Sequence, residues 1–104
     1  MNGVMDRIKT ISQRLKKEYK AERVILFGSY AKGKATEESD MDILIIAPTT
    51  ERFFERMATV KRLIRDLRNG LAVAPIVLTK QEVEERVKIG DQFVKEILEK
   101  GMEL

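Results

Sequence analysis

Two short apolar runs constrain this chain more than any other feature. Val24-Ile25-Leu26-Phe27 is closed by Gly28, and Met41-Asp42-Ile43-Leu44-Ile45-Ile46-Ala47 is stopped by Pro48. Runs this short, bounded by Gly and Pro, read as buried strands. Helical patterns surround them. Val4, Ile8, Ile11, Leu15 and Tyr19 share one face of an amphipathic helix whose other positions include Arg7, Lys9, Arg14, Lys16 and Lys17. Phe53, Phe54, Met57, Val60, Leu63, Ile64 and Leu67 repeat the helical spacing, with Thr49 or Thr50 as cap and Asn69-Gly70 as a left-handed stop. All three of Phe53, Phe54 and Met57 are expected in the core rather than on a base-stacking surface.

Leu71 to Leu78 is a third strand, and Pro75, which has no N–H to donate, marks it as an edge or a bulge. Thr79-Lys80-Gln81-Glu82 is a capping box that opens a helix carrying Val83 and Val87. Gly90 interrupts that helix, and Phe93, Val94, Ile97 and Leu98 form a last amphipathic stretch closed by Gly101. Three strands with helices between them predict an α/β (α+β) sandwich. At 104 residues, a single domain over 1–104 is expected.

Absent residue types narrow the chemistry. Without Cys there is no disulfide, thiolate metal site or cysteine nucleophile. Without His there is no Ser-His-Asp hydrolysis and no histidine acid or base. Carboxylates, hydroxyls, Lys, Arg and backbone N–H groups remain, and the metal chemistry open to them is that of hard, oxygen-bound cations. The net charge of +3 is unevenly placed: residues 1–35 hold nine Lys/Arg against three Asp/Glu, residues 36–104 eleven against fourteen. A basic first third suits a polyanion, and equally a solvated helix face. Nucleic acid ranks last as a partner, because no aromatics interleave the basic residues. No apolar run approaches the roughly 18–20 residues that cross a membrane, and no secretory pattern is present, so a cytoplasmic location is expected.

The segment from Gly28 to Asp42 carries the chemistry. Gly28, Gly33 and Lys34 match the front of a phosphate-binding P-loop. Ala35 stands where that loop needs a hydroxyl, however, and six residues before Met41 leave no room for its helix. A second pattern accounts for more. Gly28-Ser29 is followed by ten residues and then Asp40-Met41-Asp42. Carboxylates at i and i+2 at a strand start point to the same face. They repel unless a cation sits between them, while a hydroxyl and free amides at Gly28-Ser29 offer an anion site. The plain alternative has Asp40 capping a turn and Asp42 on a solvated edge. Against it, the strand that follows is apolar on both faces, where an unpartnered carboxylate is costly. A metal clamp beside a phosphate cradle is the apparatus for a metal–nucleotide complex.

Phe27-Gly28-Ser29-Tyr30-Ala31-Lys32-Gly33-Lys34-Ala35, with Ser39-Asp40-Met41-Asp42-Ile43-Leu44-Ile45, resembles the minimal nucleotidyltransferases of the DNA polymerase β-like nucleotidyltransferase superfamily. The resemblance implies a polymerase β palm-like fold, with a small mixed sheet of three or more strands and flanking helices. It implies that Gly28 and Ser29 hold the terminal phosphates of a nucleoside triphosphate, ATP by preference. Asp40 and Asp42 would bind Mg2+ (or Mn2+) and act in catalysis. The implied reaction transfers a nucleoside monophosphate to a hydroxyl and releases pyrophosphate. Such proteins often pair with a small helical partner, in some cases as the antitoxin of a toxin–antitoxin pair; a homodimer is the other expected assembly.

One departure stands out. The family usually carries a third carboxylate on the next core strand, and here that position falls near Ala74, with Ala72 as the other in-phase residue. Neither can bind a metal. The alternative function is therefore a catalytically weak or inactive nucleotide-binding or partner-binding subunit. Glu37, Glu38, Glu82 and Asp91 are the carboxylates that could substitute, and Lys32 and Lys34 are further candidates for phosphate contact.

Overall fold

Register fixes which side chains share a face, and it follows from four strands. The computed structural model describes residues 3–104. Helix α1 (Val4–Glu18) leads into β1 (Arg23–Phe27) and, after the Gly28–Asp40 segment, β2 (Met41–Ile46). Helices α2 (Phe53–Leu63) and α3 (Arg65–Arg68) precede β3 (Val73–Leu78), and α4 (Lys80–Lys88), α5 (Gln92–Lys100) and β4 (Met102–Glu103) complete the order. The sheet runs β3-β2-β1-β4. β1 is antiparallel to β2 and β4, while β2 and β3 are parallel, so the sheet is mixed.

Each face of the sheet carries its own core. Ile8, Ile11 and Leu15 of α1 and Val60 of α2 pack on Leu26, Ile43, Ile45 and Val77. On the other face Val83, Val94 and Ile97 of α4 and α5 pack on Ile25, Leu44, Ile46 and Leu78. Each fully buried Leu, Ile or Val contributes about 1.5–3 kcal/mol relative to exposure. Alternation along β1 and β2 feeds both layers, which is why neither strand shows a polar face. Among the described residues no helix is long and apolar enough to cross a membrane.

Several local expectations hold. Glu82 N–H donates to Thr79 Oγ1 at 3.1 Å and Thr79 N–H to Glu82 Oε1 at 2.7 Å, which is the capping box. Asn69 (φ 46°) and Gly70 (φ 87°) end α3 in the left-handed region. Pro75 lies on β3, an edge strand, where its missing N–H leaves no gap in the β2 ladder.

Other expectations need correction. The helix expected through Leu67 breaks at Ile64, whose φ of −110° and ψ of 6° depart from the helical well. Neither Thr49 nor Thr50 caps it: Arg52 is the cap, and its N–H donates to Glu55 Oε1 at 2.8 Å. Thr49 instead accepts from Glu51 N–H in a local turn. The third strand starts at Val73, since Leu71 and Ala72 form the approach to it. Phe54 is 82% exposed and Phe53 40%, so neither is core. Buried Arg56 takes the inward position on α2, its guanidinium held by Val77 O and by Glu82, and the two rings stack edge to face outside.

Candidate functional site

The row of residues at the open end of the sheet gathers the candidate side chains. Phe27 of β1 pairs with Asp42 of β2, and Asp42 with Ala74 of β3. The next row, Ile25, Leu44 and Ile76, lies under α5 and its neighbours. A cavity of about 690 Å3 opens at the Asp42 row, lined by Asp40, Asp42, Ala74, Met57, Phe93 and others. Phe93 of α5 meets Phe27 edge to face, centroids 5.7 Å apart, and roofs one end of it.

Gly28 touches this site directly. Its φ of +75° is left-handed, and a Cβ there would run into the Asp42 carboxylate. Only Gly meets both demands. Beyond it the chain makes one turn of helical bonding, Lys32 N–H to Gly28 O at 3.2 Å, followed by Lys34 N–H to Ser29 O at 2.9 Å. Among the described residues the amides of Gly28, Ser29, Tyr30 and Ala31 have no protein acceptor. Tyr30 and Ala31 pack against the α1-side core and so hold the turn in place. Successive unpaired amides of this kind form a cradle for an anion.

Asp40 is exposed just before β2, and Asp42 is half-buried as the strand's second residue. Neither carboxylate has a hydrogen bond or ion pair among the described residues. Burial pushes the Asp42 carboxyl above the usual carboxylate range, and the like charge of Asp40 adds to it. Two uncompensated carboxylates beside free amides have the donor set of a hard divalent cation whose other ligands come from phosphate and water.

Among the described residues no third acid joins Asp40 and Asp42. Ala74 stands beside Asp42 in the register, and Ala72 is exposed ahead of the strand, its carbonyl accepting from Met41 N–H at 2.7 Å. Among the described residues no three acidic side chains gather as a metal site. Glu82 is engaged with Arg56 and its own cap, and Asp91 caps α5 through Val94 N–H and pairs with Arg86. Glu37 and Glu38 are exposed in the loop before Asp40. Lys32 borders a smaller cavity of about 290 Å3 with Phe27, Gly28 and Phe93, while Lys34 is exposed beyond it. The sequence did not point to Phe93, Lys61 or Arg68 as cavity residues. Each sits at ordinary helical spacing, and its place is set by how its helix lies against the sheet.

Comparison with known proteins gives one consistent result. The sequence model described as "Nucleotidyltransferase domain" matches residues 8–104. Two proteins of Methanocaldococcus jannaschii, each bearing the name "Putative protein adenylyltransferase", are similar. One is 36% identical over 86 residues, covering 82% of this chain and 80% of the relative. The other is 35% identical over 96 residues, covering 90% of each. A crystal structure from Sulfolobus solfataricus, titled as that of "a putative nucleotidyltransferase", superposes with a TM-score of 0.59 at 31% identity, covering 78% of this chain and 71% of that one.

Proposed function

This chain belongs to the nucleotidyltransferase domain family, and on that premise we propose that it binds a nucleoside triphosphate with a divalent cation and transfers the nucleoside monophosphate to a hydroxyl. The observation that carries the proposal is the contact of the Gly28 turn with Asp42: a phosphate cradle and an unpaired carboxylate pair share one open end of the sheet. In this reading the amides and hydroxyl of Gly28-Ser29 hold the terminal phosphates. Asp40 and Asp42 hold the cation, Mg2+ or Mn2+ by the oxygen character of the donors. When bound, such an ion neutralises charge developing on the phosphates. The acceptor oxygen forms a bond to the α-phosphorus, the α–β bond breaks, pyrophosphate leaves, and the hydroxyl proton passes to solvent. The names of the relatives favour AMP as the group and a protein as the acceptor.

Ala74 beside Asp42 favours a second reading, in which the site binds nucleotide but turns over weakly or not at all, as a partner-binding, antitoxin-like subunit. Losing a general base costs a factor of about 10²–10⁴. Mg2+-dependent transfer of label from α-labelled ATP, with pyrophosphate release, tests the first reading. Mg2+-dependent binding without transfer selects the second. Unchanged ATP affinity in Asp42→Ala, measured in Mg2+, refutes the site itself.

A further inference from the structure

We infer that Phe93 and the thinly covered stretch of β3 at Ala74 and Ile76 form a slot for the nucleobase, one that takes a purine by its ring face and reads no edge of it. This slot rests on the nucleotidyl-transfer reading and decides which nucleotides that site admits. Phe27, Asp42 and Ala74 lie side by side across the sheet, and Ile76 follows Ala74 on the same face. Helices α4 and α5 cover this face through Val83, Val94 and Ile97. Their cover thins on β3: Ala74 and Ile76 are half-buried, whereas Leu78, the next residue of that face, is 2% exposed. Phe93, at the start of α5, borders the gap. It lines the cavity together with Asp42, Ala74 and Ile76, and 54% of it is exposed. Its contact with Phe27, ring planes 85° apart, holds the ring while leaving more than half of the residue uncovered.

The order of groups along a nucleotide sets what reaches this gap. With the terminal phosphates on the free amides after β1 and the cation at Asp40 and Asp42, the α-phosphate lies by the carboxylates. The nucleoside continues past Asp42, away from the turn, where the surface is Ala74 and Ile76 beside Phe93. Every base has a π-face, and stacking on an aromatic ring tolerates any base, with purines favoured by their larger area. Reading a base edge needs donors and acceptors. Among the described residues, no polar side chain on this face of the sheet lines the cavity besides Asp40 and Asp42. Lys61 and Arg68 line it from α2 and α3, which pack on the opposite face through Val60 and Leu67. The methyl group of Ala74 keeps the floor apolar and leaves room, where an acid would bring charge into the slot.

The test measures by calorimetry the affinity of the full chain, in Mg2+, for ATP, GTP, CTP and inorganic tripolyphosphate. ATP and GTP should agree within about fivefold, and both should bind more tightly than CTP and tripolyphosphate. Phe93→Ala should weaken ATP and GTP about tenfold each and leave tripolyphosphate unchanged, while Phe93→Trp keeps the native purine affinities. Phe93→Leu retains apolar bulk without a ring, so it repeats the comparison where Phe93→Ala perturbs folding. Unchanged ATP affinity in Phe93→Ala overturns the slot. Equal losses of ATP and tripolyphosphate in both the Ala and Leu variants also overturn it, by making Phe93 a support for Phe27 and the adjoining turn. A native preference between ATP and GTP above about fivefold does the same, since it requires edge reading. Tripolyphosphate bound as tightly as ATP refutes the slot and leaves the phosphate and cation site standing, whereas no binding of any of the four removes site and slot together.

Discussion

Gly28 and Gly33 form a matched pair for testing how the turn and the carboxylate are coupled. Both are left-handed, φ +75° and +70°, but a Cβ on Gly33 meets nothing within 4 Å, whereas one on Gly28 collides with Asp42. Gly33→Ala therefore carries only the conformational cost, about 1–2 kcal/mol. Gly28→Ala carries that cost and the displacement of a carboxylate. Because the collision is with the end of a side chain, Asp42 can turn away, at an off-rotamer cost of about 0.5–1.5 kcal/mol. The difference in stability is modest, and the difference at the site is large, because Asp42 leaves the cavity. Removing the carboxylate reverses the extra cost: the new Cβ would then face Asp42 Cβ at 3.4 Å, an ordinary contact. Urea denaturation of the native chain, Gly28→Ala, Asp42→Ala and the double variant should give a coupling of about 0.5–1.5 kcal/mol. Mg2+-dependent ATP affinity should survive Gly33→Ala and be lost in Gly28→Ala. If the two glycine variants match in both stability and ATP affinity, the contact between turn and carboxylate has no consequence and the reasoning fails.

Ser29→Ala should weaken ATP more than AMP, because one hydrogen bond to a charged phosphate is worth about 1.5–3 kcal/mol; equal weakening places Ser29 near the α-phosphate or the base. Ala74→Asp should lower stability without Mg2+, through repulsion from Asp42 in the register, recover it with Mg2+, and raise transfer from labelled ATP. Thermal denaturation that is the same with and without Mg2+ argues that the new acid does not reach the ion. Arg56→Met should cost about 2–3 kcal/mol at neutral pH, less than a fully buried pair because Glu82 is 39% exposed. The hydrogen bond from Arg56 holds the Glu82 carboxyl below its usual 4.5, so the pair's contribution is complete above that value and fades as pH falls through the lowered one. The stability gap between native and variant should therefore narrow in acid, and a gap independent of pH down to full protonation contradicts the assignment.

Much of this fold was legible because its signals are local. Val24 to Phe27 and Met41 to Ala47 read as buried strands, the second ending one residue earlier at Ile46, and Thr79 with Glu82 specified a helix start by chemistry alone. The spacing of Gly28-Ser29 and Asp40-x-Asp42 likewise survived into space, since Gly28 abuts Asp42. What failed depended on distant partners. Phe53 and Phe54 read as core because they continue an apolar period, but buried Arg56 takes the inward place by finding Glu82, 26 residues on. β4 is two residues long and carries no strand pattern; it exists because β1 offers an unpaired edge. Lys61 and Arg68 look like solvated helix charges until α2 and α3 are laid along β3.

That short β4 has a protective effect out of proportion to its length. Leu26 and Ile25 pair with Met102 and Glu103, Leu104 N–H donates to Val24 O, and Arg23 pairs with Glu103. The chain can pass so close because Gly101 has no Cβ to strike Ile25. Without residues 102–104, β1 becomes a bare rim of unpaired N–H and C=O groups, the kind of template on which a second copy adds its own strand. The same strand ends in the Gly28-Ser29 turn. Trimming three residues at this edge of the sheet would thus promote self-association and loosen the Gly28-Ser29 turn together, through one strand.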